Sequence, residues 1–316
     1  MINKKILILG GAGALGRTLI KRYYDNNEII IFSRDEHKHY YLLKEYPKLH
    51  SVIGDIRDSQ SVMHALHTHK PSVVINAAAL KHVPICQENP YESVKTNIIG
   101  HQNVIDCIRL FGGIEALIFV STDKACKPIN VYGMCKALAE ELYIKYANSQ
   151  THTKVVLVRY GNVLESTGSV IPLFKNILKT GSNVLPITHM GMTRFLLTLD
   201  DATSLIENAY HSPLSHGKIA IPKVKSLRIV DVAEALIKQY GSPDVQMTEV
   251  GIRPGEKLHE EMISTEEWAR STEHPQFFLI GSTIVNHEHK SYNSLDSLML
   301  PEDAYNFLKI SGVFND

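Results

Sequence analysis

Residues 5–16 read Lys5-Ile6-Leu7-Ile8-Leu9-Gly10-Gly11-Ala12-Gly13-Ala14-Leu15-Gly16. A short apolar run ends in glycines that fit both G-x-x-G-x-x-G and G-x-G-x-x-G, and a helical pattern follows. The spacing predicts strand, tight turn and helix. Glycines there let the backbone approach a pyrophosphate and seat the helix close to the sheet, its first amides facing the phosphates. The motif at Gly10, Gly13, Ala14, Leu15 and Gly16 therefore predicts dinucleotide binding, since it both follows a strand and opens a helix.

Outward from that motif the rhythm repeats. The runs KILIL, EIIIF, HSVI, PSVVI, ALIFV and KVVLV alternate with amphipathic stretches up to Arg159. Six such runs predict a parallel, doubly wound α/β sheet of Rossmann type. Beyond Gly161 the pattern loosens into ESTGSVIP, PITHMGMTRF and GSPDVQMTEVGIRPGEKLHEE, with residues 226–240 the clearest helix. The expected organisation is a cofactor-binding domain over residues 1–165, to which later segments return, and a smaller, mainly substrate-binding domain over 166–316.

Composition narrows the function. Lys plus Arg and Asp plus Glu are both 33, so the formal net charge is zero and no global attraction to nucleic acid or an anionic membrane is expected. The opening MINKKILIL resembles a signal peptide superficially, but its apolar run is too short, and no stretch approaches the ~18 apolar residues of a membrane span. Cys86, Cys107, Cys126 and Cys135 show neither disulfide nor zinc spacing and read as reduced cytoplasmic thiols. The histidines at 64, 67, 69, 287 and 289 form no H-E-x-x-H or cysteine-bearing cluster, so no metal site is expected.

The second strand selects the dinucleotide. It ends in Ser33-Arg34, where an NAD enzyme places an acidic residue on the ribose hydroxyls. Arg34 can instead make charge-assisted bonds to a 2′-phosphate, which favours NADP over NAD, although Asp35 keeps NAD open. Asp55, in GDIRD, is placed either to meet the adenine or to cap the next helix.

The fifth strand leads into Ser121-Thr122-Asp123-Lys124, and a helix is expected to open near Asn130. On that helix Tyr132 and Lys136 are four apart and share a face. A free tyrosine has a pKa near ~10 and is a poor base at neutral pH; lowering it by roughly three units takes about 4 kcal/mol, which nearby cations in a shielded cleft can supply. Ligands of open α/β sheets bind outside the carboxyl ends of the strands, where these groups must lie.

Residues 10–16 with Tyr132 and Lys136 resemble the extended short-chain dehydrogenase/reductases. STDKACKPINVYGMCK, RYGNV, MTRF and GIRPGEKLHE resemble more narrowly the inverting UDP-N-acetylglucosamine 4,6-dehydratases. The resemblance implies a UDP-amino sugar substrate, a homo-oligomer of two or six chains, and a catalytic set at Thr122, Asp123, Lys124, Tyr132 and Lys136. It also implies cofactor contacts from Ser33, Arg34, Asp55, Ile56, Ala77, Ala78, Lys81, Asn97 and Tyr160. Substrate contacts would come from Lys81, Asn162, Thr193, Arg194, Arg253 and Glu256, with the two arginines on the diphosphate. In the reaction so implied, Tyr132 takes the C4 hydroxyl proton, Lys124 or Asp123 removes the C5 proton, and Asp123 protonates the departing C6 hydroxyl.

The chain departs from that pattern at three places. Ser166-Thr167-Gly168-Ser169 lacks an arginine that relatives carry, Cys135 replaces Thr or Ser, and His189 replaces an acidic residue. Three other functions share some of these features. A C5-retaining dehydratase shares STDK but often places Met at the position of Tyr132. A 4-epimerase needs no relay at C5, and an NADPH-sensing regulator usually lacks the Tyr/Lys pair.

Overall fold

The first strand, β1 (Lys5–Leu9), runs through a nine-stranded sheet in a computed structural model that describes residues 1–316 other than Thr151, Glu165, Thr167, Pro243 and Asp316. Five further parallel strands follow: β2 (Glu28–Ser33), β3 (His50–Ile53), β4 (Val73–Asn76), β5 (Ala116–Val120) and β6 (Lys154–Val158). They lie in the order β3-β2-β1-β4-β5-β6, the doubly wound arrangement with its reversal between β1 and β4. Each of the six runs read from the sequence is one of these strands. The near-continuous burial of β1, β2, β4, β5 and β6 explains their apolar, largely β-branched composition, because a parallel sheet covered by helices hides both faces, whereas β3 at the sheet edge is mostly exposed.

Side chains alternate across β1, so Leu7 and Leu9 enter one core and Ile6 and Ile8 the other. All four are fully buried. A third core, including Phe174, Leu185, Leu227, Leu236 and Leu308, belongs to the smaller C-terminal layer.

Later chain returns to the sheet. Ile219–Pro222 pairs parallel with β6, and Phe277–Ile280 and Ser271–Glu273 extend that edge antiparallel. The helix predicted over 226–240 begins later than expected. Ser226–Arg228 is a strand paired with Thr193–Leu197, and the helix is Ile229–Tyr240, because Ser226 and Leu227 satisfy their backbone in that small sheet. Helices Val170–Lys179 and Pro301–Ile310 make the C-terminal layer more regular than its loop-rich sequence suggested. No helix among the described residues is long and apolar enough to cross a membrane.

Candidate active site

The carboxyl ends of β1 to β6 open on a cleft of about 1040 Å³, walled on its far side by the C-terminal layer. The glycine turn forms its floor. Gly10 has φ +81, and a Cβ there would come within 2.8 Å of the Ala78 backbone nitrogen. Only glycine lets the turn pass so close to the end of β4. The following helix, Ala14–Tyr23, starts at Gly13 with no side chain capping it, so its amino end is available to an anion. Gly10, Gly13, Ala14, Leu15, Gly16, Ser33, Arg34, Asp55, Ile56, Ala77, Ala78, Lys81 and Tyr160 all line the cleft.

Arg34 and Asp55 leave adjacent strands and approach to 3.7 Å. Asp55 is not the helix cap: Asp58 accepts from the Gln60 amide at 3.0 Å and caps Ser59–His69, while Asp55 accepts from the Arg57 side chain and amide. Burial opposes the charge of Asp55, but Arg57 and Arg34 outweigh it and hold the carboxyl below its usual range. Asp35 is engaged as well, capping Glu36–Glu45 and pairing with Lys38 at 2.7 Å. Behind the wall, His39 bridges Ser33 Oγ and Ser51 Oγ at 2.6 Å each, a support that no sequence motif signals.

Beyond β5, Thr122 Oγ1 donates to Asp123 Oδ1 at 2.9 Å, and Lys124 Nζ reaches the same oxygen at 3.0 Å. Thr122, Lys124, Tyr132 and Lys136 line the cleft. Asp123 does not: it is fully buried behind them and touches the cleft through its two neighbours. Asn130 starts the Val131–Asn148 helix by accepting from the Gly133 amide at 2.8 Å, and its Nδ2 donates to Gly255 O at 2.8 Å, joining that helix to the C-terminal layer. A Cβ on Gly133 would fall 2.2 Å from Lys124 O, so glycine lets the helix press against the 122–124 turn.

The charge logic of the tyrosine differs from the expectation. Burial pushes the Tyr132 phenol up to about 12, while the cation that pulls it down is Lys124, aided by the Thr122 hydroxyl. Lys136 is otherwise occupied: its Nζ donates to Val120 O at 2.6 Å and lies 3.9 Å over the Phe119 ring. Burial lowers it to about 7, against the Glu140 carboxylate, which raises it. Burial also opposes the charge of Lys124, but Asp123 and Glu260 outweigh it, and its pKa rises. Lys124 is thus an ammonium at neutral pH, able to act as a base only after passing on a proton.

On the opposite wall, Arg194 is largely committed. Its guanidinium donates to the carbonyls of Thr193, Leu258 and Lys257 at 2.7, 3.2 and 2.9 Å, fixing the 251–260 loop. Arg194 also lines the cleft, and these bonds use three of its five N–H donors, leaving two with which it could meet a diphosphate. Arg253 is exposed, 3.6 Å from Glu256, and free to turn toward an anion. Asn162 Oδ1, Glu256 Oε2 and Ser121 Oγ are buried on residues that line the cleft and have no protein partner. Such atoms fit a polar ligand.

Two expected contacts do not reach the cleft. The Asn97 amide clamps both backbone groups of Leu80, at 2.9 and 2.8 Å, so it shapes the loop after β4. Thr193 is buried, with its hydroxyl on His259 and Ser294. Thr167 lies outside the described residues. Ser166, Gly168 and Ser169 line the cleft, His189 does not, and Cys135 is buried within its helix. Among the described residues no group of three or more His, Cys, Asp or Glu could hold a metal ion.

Comparison with known proteins places this geometry. A family described as polysaccharide biosynthesis protein matches residues 6–282. A protein of Campylobacter jejuni named UDP-N-acetylglucosamine 4,6-dehydratase (inverting) is 41% identical over 90% of this chain and 85% of its own. A protein of Rickettsia canadensis named UDP-glucose 4-epimerase is 37% identical over 88% of this chain and 83% of its own. Among solved structures, Pen from Bacillus thuringiensis superposes with a TM-score of 0.91 at 30% identity, covering 99% of both chains.

Proposed function

The chain belongs to the polysaccharide biosynthesis protein family, and from that premise we propose that it is a UDP-N-acetylglucosamine 4,6-dehydratase that inverts C5. The observation that carries this reading is the linked trio Thr122, Asp123 and Lys124 beside Tyr132 at the end of β5. A 4-epimerase needs the tyrosine but has no use for an acid/base couple aimed at C5 and C6. The name of the Campylobacter relative supports the same reading.

NADP is the proposed cofactor, because Arg34 lines the cleft at the end of β2 while Asp35 is engaged by its own helix and Lys38. When bound, it would accept the hydride from C4 and return it to C6, so that the net reaction is loss of water. The chain's own part is proton handling. Tyr132 takes the C4 hydroxyl proton, helped by the charge on Lys124. Lys124 then hands a proton to Asp123 across their 3.0 Å contact and, as an amine, removes the proton at C5. Protonated Asp123 passes its proton through Thr122 Oγ1, 2.9 Å away, to the departing C6 hydroxyl. A solvent proton is delivered to C5 on the face opposite Lys124, which gives inversion, and Tyr132 releases the C4 hydroxyl proton to solvent, which closes the cycle.

Residues 1–165 with the segments that return to the sheet form the cofactor half in this reading, and the rest carries the UDP-sugar through Arg253, Glu256, Asn162 and Lys81. A homo-oligomer is proposed on the exposed Met134 and Leu138, which lie one turn apart on the Val131–Asn148 helix. The four cysteines, all buried free thiols, fit a cytoplasmic enzyme.

The test is UDP-N-acetylglucosamine turned over in heavy water and followed by proton NMR. The expected product is a 4-keto-6-deoxy sugar with deuterium at C5 and inverted ring couplings. Deuterium with retained configuration would leave a retaining dehydratase, and a 4-epimer that keeps its C6 hydroxyl would overturn the dehydratase.

A further inference from the structure

Glu260 is buried, 2% exposed, at the end of the 251–260 loop, and its carboxylate lies among three cations from three parts of the fold. Oε1 is 3.7 Å from Lys124 Nζ, on the catalytic turn, and 3.9 Å from Arg194 Nε, on Thr193–Leu197. Oε2 is 3.9 Å from Lys257 Nζ and has no hydrogen-bond partner. Every cation is also held by a shorter contact elsewhere: Lys124 by Asp123 at 3.0 Å, Lys257 by Cys126 O at 2.7 Å, and Arg194 by three carbonyls. The Glu260 backbone is fixed in turn, donating to Ser294 Oγ and accepting from the Ser294 amide at 2.8 Å each.

We propose that Glu260 is a positioning residue for Lys124, holding its ammonium between two buried carboxylates and coupling the 122–124 turn to the loop that carries Arg253 and Glu256. The inference rests on the dehydratase reading for the task of Lys124 but stands on geometry that is independent of it. With Asp123 alone, the ammonium would have one anionic neighbour, located behind the cleft wall. Glu260 supplies a second from the 251–260 loop, so the position of the loop and the charge of Lys124 are set together. An unpaired charge in so buried a place would be costly, and a buried carboxylate serving three cations removes that cost.

The charged groups around the pair come from each packed element. Lys124 faces Asp123 from its own turn, Tyr132 from the Val131–Asn148 helix, Arg194 from the small sheet and Glu260 from the loop. Glu260 faces Lys124, Arg194 and Lys257. Removing the Glu260 charge therefore leaves Lys124 with one anion and one cation nearby, and its proton should leave at lower pH.

The experiment compares wild type, Glu260→Gln, Glu260→Asp and Lys257→Met in the full chain. The side-chain 13Cε resonance of Lys124, assigned with Lys124→Arg, is titrated without substrate, and kcat/KM is measured across pH with UDP-N-acetylglucosamine. In Glu260→Gln the Lys124 midpoint is expected about one pH unit or more below wild type, and the alkaline limb of kcat/KM should move with it. Glu260→Asp should restore the midpoint, and Lys257→Met, which removes a competing cation, should not lower it. An unchanged midpoint in folded Glu260→Gln would overturn the proposal, as would a lowered one in Lys257→Met, the arm that decides if Glu260→Gln fails to fold. Absence of wild-type dehydration would remove the dehydratase reading while leaving the titration to decide on Glu260.

Discussion

The Lys136 ammonium donates to the Val120 carbonyl at 2.6 Å, so the lysine one turn beyond Tyr132 fastens its helix to the tip of β5. The positive field that acts on the Tyr132 phenol comes instead from Lys124, on the neighbouring turn. In the proposed reaction Tyr132 thus has Thr122 and Lys124 for its chemistry, while Lys136 secures its position. With Tyr132→Phe, turnover is expected to fall by at least ~10²-fold, the low end for loss of a positioned general base, with cofactor binding retained. Steady-state kinetics and cofactor fluorescence would check this, and near-normal turnover would remove Tyr132 from the mechanism.

Burial lowers Lys136 to about 7, which makes stability depend on pH. Between that value and the ordinary lysine pKa near ~10.4, the unfolded chain binds more protons at this site than the folded one. Stability contributed by this residue therefore rises with pH across that window, by up to about 1.4 kcal/mol per unit, and is lowest below pH 7. Relative to Lys136→Met, wild type should gain in urea midpoint from pH 7 to 10. A constant difference would show that the lysine titrates normally.

Arg34→Ala should weaken NADP at least tenfold while changing NAD little, since only NADP carries a 2′-phosphate for the guanidinium to bind. Calorimetric titration of both cofactors would measure the ratio. Equal losses would assign the Arg34 side chain to Asp55, 3.7 Å away, and not to the cofactor.

Arg253 and Arg194, two of the arginines beyond residue 165, should separate cleanly. Arg253, with a 57% exposed side chain, is expected to act on substrate, so Arg253→Ala should raise KM tenfold or more without changing the melting temperature. Arg194→Met removes the donors to three carbonyls and should lower stability by about 2 kcal/mol or more, because buried acceptors lose their partners. The reverse pattern would return the diphosphate to Arg194.

The sequence alone determined the sheet and the floor of the cleft. Five of the six strands are legible because a buried parallel strand must be apolar along its whole length, the exposed edge strand β3 by its place in the repeating rhythm, and the turn after β1 because Gly10 meets a steric demand no other residue satisfies. Thr122, Lys124 and Tyr132 could be read for the same local reason: a strand end and a helix start carry them to one edge of the sheet. The tertiary structure decided what depends on distant chain. Asn97, Thr193 and Arg194 have side chains suited to a ligand, yet their hydrogen bonds go to Leu80, to Ser294 and His259, and to the carbonyls of residues 193, 257 and 258. Glu260 shows no periodicity or motif of its own. It became a partner of Lys124 only when the C-terminal layer folded over the cleft, because electrostatic contact follows separation in space and no local pattern encodes it.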